Sequence, residues 1–128
     1  METLVKVNFE EVVVTDNDID DIVACAFDGG ITYWCNEAEV IGERLGEFAS
    51  DQISRGGEVK LYDYEADEEF VLTKEKFLEG LKMYCVDKES GNILEHRDGK
   101  LRVDVCMVDA DVADVIIQLA LFKEVIYC

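Results

Sequence analysis

The stretch EVKLYDYEADEEFVLTKEKFLEGLKMYC, Glu58 to Cys85, decides the fold class. Val59 and Leu61 alternate with polar neighbours in its first arm, and Phe70 and Leu72 do so in its second. A period of two puts all four on one side of an extended pair. The acidic Glu65-Ala66-Asp67-Glu68 between the arms makes the tip of a hairpin. Thr73 then supplies an N-cap oxygen, and Phe77, Leu78, Leu81 and Cys85 recur at the spacing of one helical face. A hairpin running directly into an amphipathic helix predicts antiparallel strands packed on helices.

Working outward, Leu4 to Val14 reads as one extended first strand rich in β-branched residues. Thr15 follows as an N-cap, with Asp18 as the acidic half of a capping box. Ile19, Ile22, Val23, Ala26 and Phe27 mark the buried face of the helix, and Gly29-Gly30 ends it through a left-handed cap. Ile31 to Ile41 is read as a strand with Trp34, Asn36, Ala38 and Val40 on one side, against a short helix over residues 36–45. An irregular connection containing Gly42, Gly46 and Ser50-Asp51-Gln52 leads to a turn at Arg55-Gly56-Gly57.

Residues Lys88 to Lys100 read as a polar loop, and Leu101, Val103 and Val105 as a further strand. Asp109 caps a last helix whose body, Val112 to Phe122, is apolar on nearly every side. Such a helix is buried by its own chain or covered by a partner, a second copy included. Val125-Ile126-Tyr127 is expected to close the sheet as a final strand. The predicted architecture is a single α+β domain over residues 1–128, a mostly antiparallel sheet packed against about three helices.

The chain has 128 residues, 30 acidic and 12 basic, for a formal charge of −18. Residues 1–52 alone hold 13 acidic and 2 basic groups. Lys and Arg are too few to grip phosphate backbones by counterion release, and anionic membranes are disfavoured likewise. No apolar run reaches the roughly 18 residues of a membrane span. Met1 to Phe9 lacks the basic and apolar regions of a signal peptide. Five cysteines without C-x-x-C spacing argue against a disulfide framework or zinc knuckle, so a reducing cytoplasm is expected.

The residues offer little for catalysis. Asp16, Asp18 and Asp20 begin like a D-x-D-x-D calcium loop, but its sixth and twelfth places hold Asp21 and Phe27, so no metal site is expected. Asp51 with Glu58-Val59-Lys60 only faintly echoes a metal-dependent nuclease. Cys35 and His96, the sole histidine, have no local context that would activate a thiol. Neither enzyme nor cofactor is expected.

Binding is the remaining class. A basic partner protein would be drawn to Asp16, Asp18, Asp20, Asp21, Glu37 and Glu39, with Tyr33 and Trp34 as aromatic anchors. The competing reading of Trp34 is plain core. A second class is a sponge for a small nucleotide signal, with Trp34, Arg44 and Arg55 around the ligand. A third is a structural homo-oligomer built through the helix Val112–Phe122.

Four segments carry a resemblance: GGITYWCNEAEVIGE (Gly29–Glu43), SRGGEVKLYD (Ser54–Asp63), LTKEKFLEGLKMY (Leu72–Tyr84) and DADVADVIIQLALFKEV (Asp109–Val125). With them the chain resembles small acidic proteins encoded by prophages and mobile elements of Firmicutes. The resemblance implies an accessory role in the host cytoplasm, such as inhibition of a host-defence protein in the manner of anti-CRISPR proteins. In that reading the acidic surface stands in for nucleic-acid charge before a basic, nucleic-acid-handling partner.

Overall fold

A computed structural model describes residues 1–87 and 92–128. The strands β1 (Glu2–Val7) and β2 (Glu10–Thr15) open the chain as an antiparallel hairpin. The expected single strand over Leu4–Val14 is therefore two strands. Asn8 and Phe9 reverse the chain with φ of 49° and 71°. Positive φ at both positions gives a two-residue turn matched to the twist of the strands. Nothing in Phe9 announces this, because an aromatic ordinarily favours a strand.

Helix α1 (Asp16–Cys25) starts where expected: Thr15 Oγ1 accepts from Asp18 N at 3.0 Å, and Asp18 Oδ2 accepts from Thr15 N at 2.9 Å. It continues into a π turn, Ala26–Gly30. The glycine that ends it acts by size and not by handedness. A β-carbon on Gly30 would lie 2.5 Å from the carbonyl oxygen of Ala110, so only glycine lets this turn close on the last helix.

Strand β3 (Glu37–Ile41) is shorter than the expected Ile31–Ile41, since the backbone from Ile31 to Trp34 is coiled in turns. The one-turn helix α2 (Asp51–Ser54) interrupts the connection that follows. The expected hairpin is formed by β4 (Glu58–Asp63) and β5 (Glu68–Leu72), whose pairing sets Val59 opposite Leu72 and Leu61 opposite Phe70. Thr73 caps α3 (Lys74–Val86) by accepting from Lys76 N at 3.2 Å.

The predicted loop over Lys88–Lys100 contains a strand, β6 (Leu94–Arg97), which pairs with β7 (Lys100–Val103); residues 88–91 of it lie outside the described residues. Val105, expected in the strand, belongs to a 3-10 turn. Helix α4 (Ala110–Phe122) is capped by Asp109, whose Oδ1 accepts from Val112 N at 2.9 Å.

The molecule is an α+β domain, and its strands divide between two sheets. One has the order β1-β2-β7-β6, antiparallel except for β2 beside β7, and the other is the antiparallel β3-β4-β5. Helices α1, α3 and α4 pack together; the first sheet lies on α1 and α3, the second on α4 and α2. Gly80 brings α3 onto α4, where a β-carbon would meet Ala120 N and Ile116 O at 2.6 Å. One face of α4, Ala113, Ile116, Ile117 and Ala120, is buried in the common core, and Val112, Val115, Leu119, Leu121 and Phe122 are half-buried against it. No helix among the described residues is long and apolar enough to cross a membrane.

Candidate functional site

Antiparallel registry decides which side chains of the second sheet meet solvent. Ala38, Val59, Leu61, Phe70 and Leu72 turn inward. The opposite face then carries Glu37, Tyr62 and Glu69 in one row and Glu39, Lys60 and Val71 in the next, with Glu58 opposite Ile41. All four glutamates are exposed. The tyrosines tie this face together: Tyr62 Oη donates to Glu39 Oε1 at 3.0 Å, and Tyr64 Oη donates to Glu37 Oε1. Their rings lie 5.7 Å apart, Lys60 Nζ is 3.6 Å from Glu69, and the Tyr64 ring is 57 % exposed.

At the hairpin end of this sheet, a hollow of about 400 Å³ is lined by Tyr62, Asp63, Tyr64, Asp67, Glu68 and Glu69. Aromatic faces beside exposed carboxylates, here Asp67 and Glu68, suit a guanidinium group, which stacks on the ring and bonds the carboxylate with its planar fork. The tyrosines donate their protons and hold them firmly. Desolvation and the bond to Glu39 push Tyr62 up to about 12, and the bond to Glu37 raises Tyr64 above its ordinary value. Near neutral pH both tyrosines of this face are therefore phenols that donate.

The acidic group on α1 is differently employed. Asp18 closes the capping box, and Asp16 Oδ1 lies 3.6 Å from Lys74 Nζ. Asp20 is half-buried, with Oδ1 enclosed and without a hydrogen-bond partner, and only Asp21 is fully exposed. Helix α1 packs on β2, α2 and α4, whereas β3 pairs with β4, so these aspartates do not share the face of Glu37 and Glu39.

Trp34 is not a surface anchor. It is 4 % exposed, and its Nε1 donates to Asp114 Oδ1 at 2.9 Å. Tyr33 is half-exposed but turned the same way, its hydroxyl donating to Asp114 Oδ2 at 2.6 Å. Gln118 Nε2 also donates to Asp114 Oδ1, at 2.9 Å. Tyr127 stacks on Trp34 with centroids 4.6 Å apart and planes at 3°, and donates to Asp63 Oδ2 at 2.7 Å. The expected final strand Val125-Ile126-Tyr127 is not formed, because these residues turn back over α4 onto Gln118.

The nucleotide arrangement is also separated. Arg44 donates to Glu47 O at 2.8 Å, and Arg55 donates to Leu45 O at 3.1 Å, in the loop between β3 and β4. The ring neighbours of Trp34 are instead Phe70, Phe122 and Tyr127. Cys35 is buried with its thiol donating to Glu37 O, and burial raises its pKa. His96 lies on the other sheet, lining a groove of about 710 Å³ with Glu2, Glu10, Glu11 and Lys100. Asp51 pairs with Arg55 at 3.9 Å and Lys60 with Glu69, so the nuclease-like residues do not converge.

Asp63, Asp114, Gln118 and Tyr127 were not singled out as binding residues by sequence. The only signal was two polar residues, Asp114 and Gln118, four apart within the otherwise apolar helix body Val112–Phe122. No family model, curated protein or solved structure matches the chain.

Proposed function

We propose that this is a non-enzymatic protein that binds a basic surface of a partner protein through the outer face of the β3-β4-β5 sheet. The observation that carries the reading is the placement of Glu37, Glu39, Glu58 and Glu69 on one solvent-facing surface with Tyr62 and Tyr64 among them. Four carboxylates there concentrate a field already set by a charge of −18. The tyrosines supply contact area with few rotors to immobilise. A partner evolved to hold nucleic acid offers the complementary arginines and lysines. The resemblance to prophage-encoded proteins fits a host protein in that role, blocked when its basic surface is covered. The aspartates of α1 add long-range attraction and are a lesser part of the contact.

The test begins with capture of partners from a bacterial lysate at 0.15 M and 0.5 M salt, followed by affinity measurements on the captured protein. The triple variant Glu37→Gln, Glu39→Gln, Glu69→Gln should weaken binding by at least about tenfold, chiefly by slowing association. Asp20→Asn with Asp21→Asn should change it by less than about threefold. Affinity that ignores both salt and the triple variant would remove the sheet face as the docking surface.

A further inference from the structure

Helix α4 ends at Lys123 in the left-handed conformation, φ 63° and ψ 10°, which strains a residue that has a β-carbon. The segment 124–128 then turns back over the helix in no regular structure. A single side chain provides the hydrogen bonds described for its backbone. Gln118 Oε1 accepts from Ile126 N at 2.8 Å and Tyr127 N at 2.9 Å, and Gln118 Nε2 donates to Tyr127 O at 3.2 Å. The Tyr127 ring fills a slot floored by Trp34 and walled by Phe122, 6.0 Å away, and its hydroxyl reaches Asp63. Val125 and Ile126 remain half-exposed.

This is how a folded body recognises an extended peptide: one aromatic side chain in a pocket and a few main-chain bonds. Every group that recognises Tyr127 (Gln118, Trp34, Phe122 and Asp63) belongs to the body, and none requires that the tyrosine be joined to α4. Two hollows reach the Tyr127 side chain. One hollow, about 380 Å³, is lined by Asp111 and Asp114, and another, about 220 Å³, by Asp63 and Glu65; both reach Tyr33 and Tyr127. Segment 124–128 brings no basic residue to these carboxylates; its one charged side chain is the acidic Glu124.

We propose that the slot formed by Trp34, Gln118 and Asp63 is a binding site for an extended, tyrosine-bearing segment of a partner protein with Arg or Lys beside the tyrosine, and that residues 124–128 are its resident competitor. The inference is independent of the sheet face, which lies on the other side of the same strands. A better-matched peptide displaces the resident segment, because only the incoming chain also pairs with Asp111 and Glu65, the exposed carboxylates of the two hollows. Tethering gives the resident segment a high effective concentration, so an outside peptide must overcome that advantage.

Trp34 is the only tryptophan and reports on the slot directly. The probe is the capped peptide Arg-Val-Ile-Tyr-Arg, titrated into the wild-type chain and into Tyr127→Ala while tryptophan emission is followed. Saturable change is expected in both, with the wild-type midpoint at least about tenfold higher. Replacing the peptide tyrosine by phenylalanine should weaken binding by about tenfold, since Asp63 loses its donor. Replacing both arginines by glutamate should weaken it further. Absence of saturation in both proteins, or equal binding of the tyrosine and phenylalanine peptides, overturns the proposal. If Tyr127→Ala does not fold, the wild-type titration decides alone. Wild-type dimers that the peptide disperses would place a second copy in the slot and overturn the assignment of a basic partner.

Discussion

Two sets of tyrosine–carboxylate pairs in this molecule have the same chemistry and different surroundings. Tyr33 with Asp114 and Tyr127 with Asp63 are joined through Trp34 and Gln118 into a cluster whose carboxylates are buried. Tyr62 with Glu39 and Tyr64 with Glu37 stand on an open sheet face. In the first set each carboxylate has given up water, so every donor it meets holds the tertiary structure in place. In the second set water competes for every bond, and the pairs contribute little to folding but remain available to a partner. Burial separates a cluster already filled from within the chain, by Tyr127, from one that stands open to solvent.

The sharpest way to break this comparison is Asp114→Ala. It removes the common acceptor of Trp34 Nε1, Tyr33 Oη and Gln118 Nε2, two of which belong to buried residues. Unsatisfied buried donors should cost about 3 kcal/mol in denaturant unfolding. Glu39→Ala, which removes an exposed acceptor, should cost less than about 0.5 kcal/mol. Similar losses for the two variants would erase the distinction.

Alkaline titration sharpens it next. Desolvation and the Asp63 bond push Tyr127 up to about 12 from its ordinary 10.0. A raised tyrosine pKa means that the folded state favours the protonated phenol. Its contribution is whole below pH 10 and is lost as pH climbs from 10 toward 12. Tyr33, also pushed up to about 12, follows the same course. Asp63 behaves oppositely: the Tyr127 hydroxyl and then the Ala66 N–H lower its pKa from 3.8, so its contribution is present above that value and fades in acid. Trp34 emission should therefore stay level through neutral pH and change between 10 and 12. Tyr127→Phe should diminish the alkaline step. A step unaffected by that variant would mean that Tyr127 does not couple to Trp34.

The smallest effect on stability is expected from Tyr64→Phe. The ring is more than half exposed, and thermal unfolding should shift by no more than about 0.5 kcal/mol equivalent. Affinity for the captured partner should nevertheless fall several-fold, as the phenol leaves Glu37. A larger loss of stability than of affinity would move this pair into the structural set.

Much of the architecture was legible because it rests on local chemistry. Thr15, Thr73 and Asp109 each accept a hydrogen bond at the start of the helix they were expected to cap. The alternation of Val59, Leu61, Phe70 and Leu72 marked the buried side of the hairpin, and strand pairing then set its register. The misses are positions where local preference and tertiary demand part. Phe9 occupies a positive-φ turn between two strands that read as one. Gly30 ends a helix through close approach to α4 rather than through its own φ. Leu94–Arg97 is polar enough to pass for loop, and β7 makes it a strand by offering a ladder of partners.

The candidate sites follow the same rule. Glu37 and Glu39 were legible as exposed acids, because a period of two left them opposite the apolar positions of β3. That they stand beside Tyr62, Tyr64 and Glu69 depended on strand pairing. Trp34 carried no mark that distinguished core from surface; the Asp114 carboxylate, 80 residues away, decided that it is held inside.

By itself, then, the sequence determined the charge, the caps, the hairpin and helix of Glu58–Cys85 and the apolar faces, since each arises from residues within a few positions of one another. Only the tertiary structure decided that the strands form two sheets, which face of α4 enters the core, and that Tyr127 turns back onto Trp34. Those outcomes depend on which surfaces meet after folding, and burial converts the same polar groups from solvated side chains into obligatory partners.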